Sequence, residues 1–445
     1  MTIFNKRAPW LLLLGDAFFF VISLWLALFL RYRESPDGDV FFAHLAPFSL
    51  LFIVWIIVFF ITGLYDKQNV VLKSRLPIYL FQGQVANSII AVIFFYFIPW
   101  FGISPKTTLF VYLIISLILI IWWRVYGYSI FVPKVREKVI LIGEGIEVRE
   151  LRQEIENNPQ YNINIISTID LGSANWDSVL RNIDQSGASI VAIDFHNDKV
   201  GRILPSLYNL IFRRLRFIDI DEIYEEIFDR VPLSLIKHTW FLQNISTSPK
   251  IVYDILKRIM DVTVALILGI ISLVFYPFVA LAIKLEDGGS VFILQNRIGE
   301  NNKLIRIRKF RSMTMTAQDK NGTADSQSIT PVGFFIRKTR IDELPQLWNV
   351  VRGDLSLIGP RPELPQFVKI YEREIPFYAV RHLIKPGLSG WAQLYHQTPP
   401  KFETSNEDTK MKLSYDLFYI KNRSLLLDLN IALKTIREII SRRGV

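Results

Sequence analysis

Four long apolar runs open the chain, at about 10–30, 45–64, 78–100 and 108–126, with short polar stretches between them. Each approaches the roughly 20 residues that a helix needs to cross a bilayer core. Trp10, Tyr65, Trp100, Trp122 and Trp123 cluster at their ends, where amphipathic rings favour the membrane interface. The pattern predicts a four-helix transmembrane bundle over 1–130. No small-residue cleavage site follows the first run, so it reads as a membrane helix and not a removed signal. Asp16, inside that run, is costly in hydrocarbon and is expected to face other helices, beside Ser23 or a glutamine of the third run. One side of the bundle collects Lys6, Arg7, Lys67, Lys73, Arg75, Arg124, Lys134, Arg136 and Lys138, the other only Arg31, Arg33 and Lys106. Basic loops stay inside, which puts the N-terminus and everything after the fourth run in the cytoplasm.

The pattern then changes. Over 138–245 short apolar strands alternate with helical stretches: KVILIGEGIEV reads as strand, Gly turn and helix start, and INIISTID, SIVAIDF and RFIDI as further strands. This is a Rossmann-like α/β pattern. The GEG turn resembles a dinucleotide fingerprint, but Val148 stands where its third Gly belongs, so a structural use of the turn is favoured. Arg213, Arg214, Arg216 and the acidic run DIDEIYEE read as solvated faces, and 241–253 as a linker.

Residues 262–283 are apolar and long enough to span a bilayer, yet Lys257 and Arg258 precede them and Lys284 follows. Basic residues at both ends argue that both ends lie on one side. Pro277 lacks a backbone donor and breaks the helix within its apolar length. The expectation is a re-entrant helix-break-helix that enters one leaflet and returns. Further on, KLIRIRKFRSM alternates as a half-buried strand, with Arg306 and Arg308 on one face and Lys309 and Arg311 on the other. The C-terminal stretch after 412 has helical spacing that suits an interfacial amphipathic helix, with core packing a rival for 425–440.

Composition narrows the class. The apolar fraction of 51% exceeds that of an ordinary soluble protein, and the net charge is +10. Such charge could suit nucleic acid, anionic membranes or phosphorylated substrates; no nucleic-acid motif accompanies it, and the long apolar runs favour membrane lipid as the partner. No Cys is present, so neither a disulfide framework nor a thiolate metal site exists.

The candidate chemistry is concentrated in TPVGFFIRKTRIDELPQLWNVVRGDLSLIGPRP, residues 330–362. Adjacent carboxylates Asp342 and Glu343 among cations suit a divalent metal together with a nucleophile. Arg337, Arg340, Arg352 and Arg361 offer planar donors for phosphate oxygens. Pro345 fits the first turn of a helix, which places the pair at a helix start. On charge alone, a solvated face ending in a Pro-rich turn accounts for the same residues.

The wider sequence decides between these. DELPQLWNVVRGDLSLIGPRP resembles the signature of the bacterial sugar transferases, the monotopic polyprenyl-phosphate hexose-1-phosphate transferases. The resemblance extends through KRIMD, VFILQNRIG, KFRSM, HLIKPGLSGWAQ and YDLFYIKNRSLLLDL, over about 255–440. It departs at Tyr276, where the family often has Ser before the proline of the break. It implies an α+β catalytic domain over 250–445, at the cytoplasmic face of the bacterial inner membrane. That domain would transfer a sugar-1-phosphate from a nucleoside diphosphate sugar, UDP-linked by expectation, to polyprenyl phosphate, the first membrane step of extracellular polysaccharide assembly. It further implies Asp342 as nucleophile, Glu343 as metal support, Mg²⁺ as cofactor, and Lys309, Arg311, Arg340 and Arg361 as substrate-binding residues. His382, in a turn-rich loop, reads as a structural hydrogen-bonder. A homodimer is left open. The rival function is a membrane-tethered nucleotide sensor or docking protein without turnover, which leaves the Asp-Glu pair without purpose.

Overall fold

The apolar runs form helices α1 (Ala8–Tyr32), α2 (Gly38–Ile61), α3 (Leu76–Phe97) and α4 (Lys106–Trp122), the last continuing into a π turn at Trp123–Gly127. All four are long and apolar enough to cross a membrane. This is a membrane protein. The computed structural model describes residues 8–65, 76–97, 106–127, 136–245 (less 159–160, 162, 173–178, 181–182, 184, 203, 211 and 213–214), 250–313, 329–396 and 406–441. Lys6, Arg7, Lys67, Lys73, Arg75, Trp100, Lys134, Arg213 and Arg214 lie outside them. The second span starts earlier than its apolar core, at Gly38, and runs through Pro47. Aromatic rings fill the bundle, with Phe20, Phe48, Trp55, Phe59 and Tyr112 essentially inaccessible.

Asp16 does face inward, but its partners differ from those expected. Arg124 grips it through two contacts, Nε to Oδ1 at 3.1 Å and Nη2 to Oδ2, and Tyr65 donates to it at 2.7 Å. A buried carboxylate needs an opposite charge more than it needs a hydroxyl or amide. Gln84 instead donates to Ser116 at 2.8 Å, and Ser23 to the Phe19 carbonyl. Arg124 is therefore a buried ion-pair partner and not a loop charge.

The chain divides into two compact units, Met1–Ile227 and Phe228–Val445. The first also holds strands β1 (Glu137–Ile142), β2 (Ile163–Ile169), β3 (Ile190–Ile193) and β4 (Arg216–Asp219), all parallel, in the order 2-1-3-4. Helix α5 (Ile146–Asn157) starts at Gly145, whose φ of +113° favours glycine. Asp170 accepts the N–H of Gly172 at 2.8 Å, a local turn. The DIDEIYEE run is not a solvated face. Helix α6 (Ile220–Phe228) follows β4 directly and buries Asp221 and Glu225 along with Ile220, Ile223 and Tyr224.

The second unit begins well before residue 250. Val231, Ile236 and Trp240 pack into one core with Val368, Tyr371, Tyr378, Leu413 and Leu417. Trp391 donates to the Asp229 carbonyl at 2.8 Å. The compact units thus divide at 227/228, and the apolar residues just before the Ser/Pro stretch are core of the second.

Helices α7 (Ile251–Ser272) and α8 (Tyr276–Asp287) meet at a bend of 56°. Pro277 occupies the first turn of α8, where its missing N–H costs nothing, and the break falls just ahead of it at 273–275. Tyr276 packs its ring 4.9 Å from that of Phe310. Both helices are fastened to one body. Arg258 donates to the carbonyls of Val350 and Val351 at 2.7 and 2.8 Å, closing the C-terminus of helix α9 (Leu347–Arg352). Lys257 pairs with buried Asp428 at 3.0 Å, and Asp261 accepts the N–H of Leu357 at 3.1 Å. At the other end Glu286 accepts the N–H of Val332 at 3.0 Å, and Val279 and Ile283 pack on Phe310 and Ile336. The tail forms two helices, Asn406–Asn422 and Leu425–Ser441. The first is largely core; the second buries Asp428 and Ile431 and exposes Leu426, Leu429 and Ile439.

Candidate active site

Strand β5 (Phe292–Ile298) pairs antiparallel with β6 (Leu304–Phe310), the basic strand read from the sequence. Asn349 ties β6 to α9: it donates to the Arg306 carbonyl at 2.8 Å and accepts the Arg308 N–H at 3.3 Å. That staple brings Lys309 over the turn Ile341–Gln346, a 3₁₀ segment that carries the paired carboxylates. Arg340 precedes it in the left-handed region, at φ 56°, and swings the chain into the turn.

Three cations converge on Glu343. Lys309 Nζ lies 3.2 Å from Oε1, Arg361 Nη2 3.6 Å from Oε1, and Arg340 Nη1 3.9 Å from Oε2. Burial raises its pKa, but Arg361, Lys309 and Arg340 outweigh that and hold the carboxyl down to about 2. Asp342 is only 9% exposed. Burial first, then repulsion from Glu343, pushes it up to about 6 against the pull of Lys309, Arg337 and Arg361. Adjacent carboxylates thus hold opposite electrostatic positions, one committed to cations and one left basic. Burial also pulls the Lys309 ammonium down, opposed by Glu343.

Arg361 is placed by a backbone clamp. Strands β7 (Ser356–Ile358) and β8 (Gly387–Ser389) run parallel, with Gly359 donating to Ser389 at 2.8 Å and Gly387 to Pro360 at 2.9 Å. A Cβ on Gly387 would fall 2.1 Å from the Gly359 nitrogen, so the Gly-Pro-Arg-Pro turn and the KPGLSG loop approach as only glycine permits. Behind the turn, buried Arg381 donates to the Arg361 carbonyl at 3.0 Å and to Tyr378 at 2.6 Å, and pairs with Asp416 at 2.8 Å.

The structure therefore gathers Lys309, Arg340, Asp342, Glu343 and Arg361. Arg311 is buried, with its guanidinium packed against Gly289. Arg352 is exposed beside Asp354. His382 is buried, and burial together with Arg381 pushes its pKa down to about 3, so it is neutral. Sequence reading overlooked Arg297, Gln346 and the Arg381–Asp416 pair. Arg297 and Gln346 line one cleft with Lys309, Glu343 and Arg361. The only signal for Arg297 was its place in the VFILQNRIG block.

Residues 252–442 match the family described as bacterial sugar transferase. The chain is 38% identical over 192 residues to the uncharacterized sugar transferase EpsL of Bacillus subtilis, covering 43% of this chain and 90% of that one. It belongs to the bacterial sugar transferase family. The chain is also 39% identical over 279 residues to the UDP-N-acetylgalactosamine-undecaprenyl-phosphate N-acetylgalactosaminephosphotransferase of Aeromonas hydrophila, across 62% of each chain. With the undecaprenyl-phosphate glucose phosphotransferase of Komagataeibacter xylinus the identity is 28% over 407 residues, 85% of this chain and 73% of the other. Every residue of the cluster falls inside the matched segment.

Proposed function

We propose that this transferase moves a sugar-1-phosphate from a UDP-sugar to undecaprenyl phosphate at the cytoplasmic face of the inner membrane. The relatives' names supply the two substrates; the observation that carries the mechanism is the split environment of Asp342 and Glu343. Glu343 organises Lys309, Arg340 and Arg361. Asp342, ionised at neutral pH yet more basic than an ordinary carboxylate, is the better nucleophile. Its oxygen attacks the phosphorus that bears the sugar, the bond from that phosphorus to the bridging oxygen breaks, and UMP departs. An oxygen of undecaprenyl phosphate then attacks the same phosphorus and frees the carboxylate. Arg361, Lys309 and Arg297 surround the cleft in which phosphate charge would be neutralised.

The donor set fits Mg²⁺, which takes one or two carboxylates and fills its remaining positions with water and substrate phosphate oxygens. Asp342 and Glu343 would hold it, and bound there it would neutralise phosphate charge.

The bent pair α7–α8 is read as re-entrant. Lys257, Arg258 and Asp261 on α7 and Glu286 on α8 all fasten to the same compact unit, as a chain that returns to its own side requires. Val274, Phe275 and Phe278, at the elbow, are exposed apolar residues for the leaflet. A site at the interface meets one substrate from water and the other from lipid.

The test is release of UMP from a panel of UDP-sugars by membranes containing the protein and undecaprenyl phosphate, with Asp342→Asn as control. One sugar should support release in the wild type and none in the variant. Absence of release across the panel would favour a docking protein without turnover.

A further inference from the structure

The carboxyl ends of the parallel strands gather a second polar cluster, in the first unit and apart from the chemistry above. Asp194 directly follows β3, His196 lies two residues on, and Asp219 ends β4. In the β3–β4 register Asp219 stands opposite Ile193, so the two strands end level and deliver all three side chains to one place. A carboxylate oxygen of each Asp and a ring nitrogen of His196 all lie within 4.8 Å of one another. Two donors each about 2.1 Å from one metal stand about 3.4 Å apart in a tetrahedral site, so the three groups need only a small inward shift to share an ion. His196 Nδ1 is 3.3 Å from Asp219 Oδ2, and the two side chains keep 15% and 16% of their exposure, a path for an ion from solvent.

Local structure explains only part of this. Asp194 accepts the N–H of His196 at 3.1 Å, a turn of the kind aspartate often makes. Asp219 accepts the N–H of Asp221, as an N-cap of α6 does. Neither contact brings positive charge. Among the described residues no lysine or arginine pairs with Asp194, Asp219 or Asp221; Lys199 is committed to Glu144 at 2.9 Å. Asp221 is a separate observation. It is 5% exposed, its side chain meets that of Asp219, and its buried Oδ1 has no hydrogen-bond partner. An acceptor left unsatisfied beside two more carboxylates and an imidazole is costly unless a cation completes the group.

We propose that Asp194, His196 and Asp219 bind one divalent transition cation, with Asp221 beside them as a further acceptor. Imidazole with hard carboxylate oxygens suits Mn²⁺ or Zn²⁺, whereas Ca²⁺ and Mg²⁺ prefer oxygen alone. Three protein ligands leave coordination positions for water or an incoming group. The ion fastens the end of β3 to the end of β4 and so to the start of α6.

The test uses the full-length protein in detergent, stripped with chelator and reloaded with Mn²⁺. Electron spin-echo spectroscopy should show nitrogen coupling from a coordinated imidazole, absent from His196→Gln. The Asp342–Glu343 site cannot mimic that signal, because no histidine is among its gathered residues. Thermal unfolding is the second readout. In chelator Asp219→Asn should unfold at or above the wild-type temperature, since a repelling charge is gone; added Mn²⁺ should raise the wild-type transition by several degrees and leave that of the variant behind. No nitrogen coupling in the Mn²⁺-loaded wild type overturns the proposal, as does coupling that survives in His196→Gln or an equal rise in Asp219→Asn.

Discussion

Replacing Asp416 with alanine strips the charge partner from a guanidinium that has nowhere to go. The Arg381 and Asp416 side chains are 4% and 2% exposed and lie 2.8 Å apart. Burial, with repulsion from Glu363, pushes the Asp416 carboxyl up to about 6, and Arg381 is what holds it from going higher. Removing one member of a buried pair costs about 3–5 kcal/mol, because the other charge is left uncompensated. Glu363 lies 3.8 Å from Arg381 and Tyr378 still accepts from it, so the lower end, about 3 kcal/mol, is expected. For a unit of this size that corresponds to a fall in Tm of roughly 6–12 °C. Tryptophan fluorescence during thermal unfolding in detergent would read it. Arg381 also anchors the Arg361 carbonyl, so kcat/KM for sugar-phosphate transfer should fall in the variant even well below its transition. The double variant Asp416→Leu/Arg381→Met separates the two effects. It removes both charges and should recover at least half the lost stability, yet not the activity, because the Arg361 carbonyl has lost its donor. A fall of under about 2 °C in Asp416→Ala, or a double variant less stable than either single one, would refute the reasoning.

Four further outcomes follow from the site and the helix break. Gly387→Ala places a Cβ 2.1 Å from the Gly359 nitrogen, so it should part the two loops and lower kcat/KM about tenfold or more while Asp342→Asn remains the more severe lesion; unchanged kinetics would show that the clamp does not place Arg361. Asp342 must be ionised to attack, so activity should be lost as pH falls; in metal-free protein its carboxyl should titrate near pH 6 by NMR, and Mg²⁺ held by the pair should move the acid limb of the rate below that. Because its pKa is raised on folding, ionising Asp342 destabilises the fold: the cost is absent below about pH 4 and complete above about pH 6, so Asp342→Asn in chelator should gain about 2–3 kcal/mol at pH 7.5 and nothing at pH 3.5. Because the native chain has no Cys, single cysteines at residues 250 and 290 should both react with a membrane-impermeant thiol reagent from the cytoplasmic side only; reaction from opposite sides would make α7–α8 a span.

Much of the architecture was legible because it is written in lengths and periods. Runs of about 20 apolar residues give the four helices, and period-two alternation in KLIRIRKF gives β6 with Lys309 turned to the carboxylates. Pairings distant in sequence left no such trace. Asp16 and Arg124 are 108 residues apart, and nothing local says that a basic residue at the end of the fourth run turns inward. The same holds for Arg381 and Asp416. Their motifs, HLIKPG and YDLFYIKN, were visible as words, but the buried charge they share is a property of the packed core. KRIMD read as a basic flank; in the fold Lys257, Arg258 and Asp261 each hold a different element.

In the proposed mechanism a carboxylate oxygen of Asp342 carries the sugar phosphate between donor and acceptor. Full-length protein, incubated with the accepted UDP-sugar and Mg²⁺ but no undecaprenyl phosphate and quenched in acid, can be digested and mapped by mass spectrometry. A phosphosugar adduct is expected on the peptide containing Asp342, absent in Asp342→Asn and discharged when acceptor is added. An adduct on any other residue, or an enzyme that turns over fully with acceptor and shows no adduct without it, would contradict the mechanism.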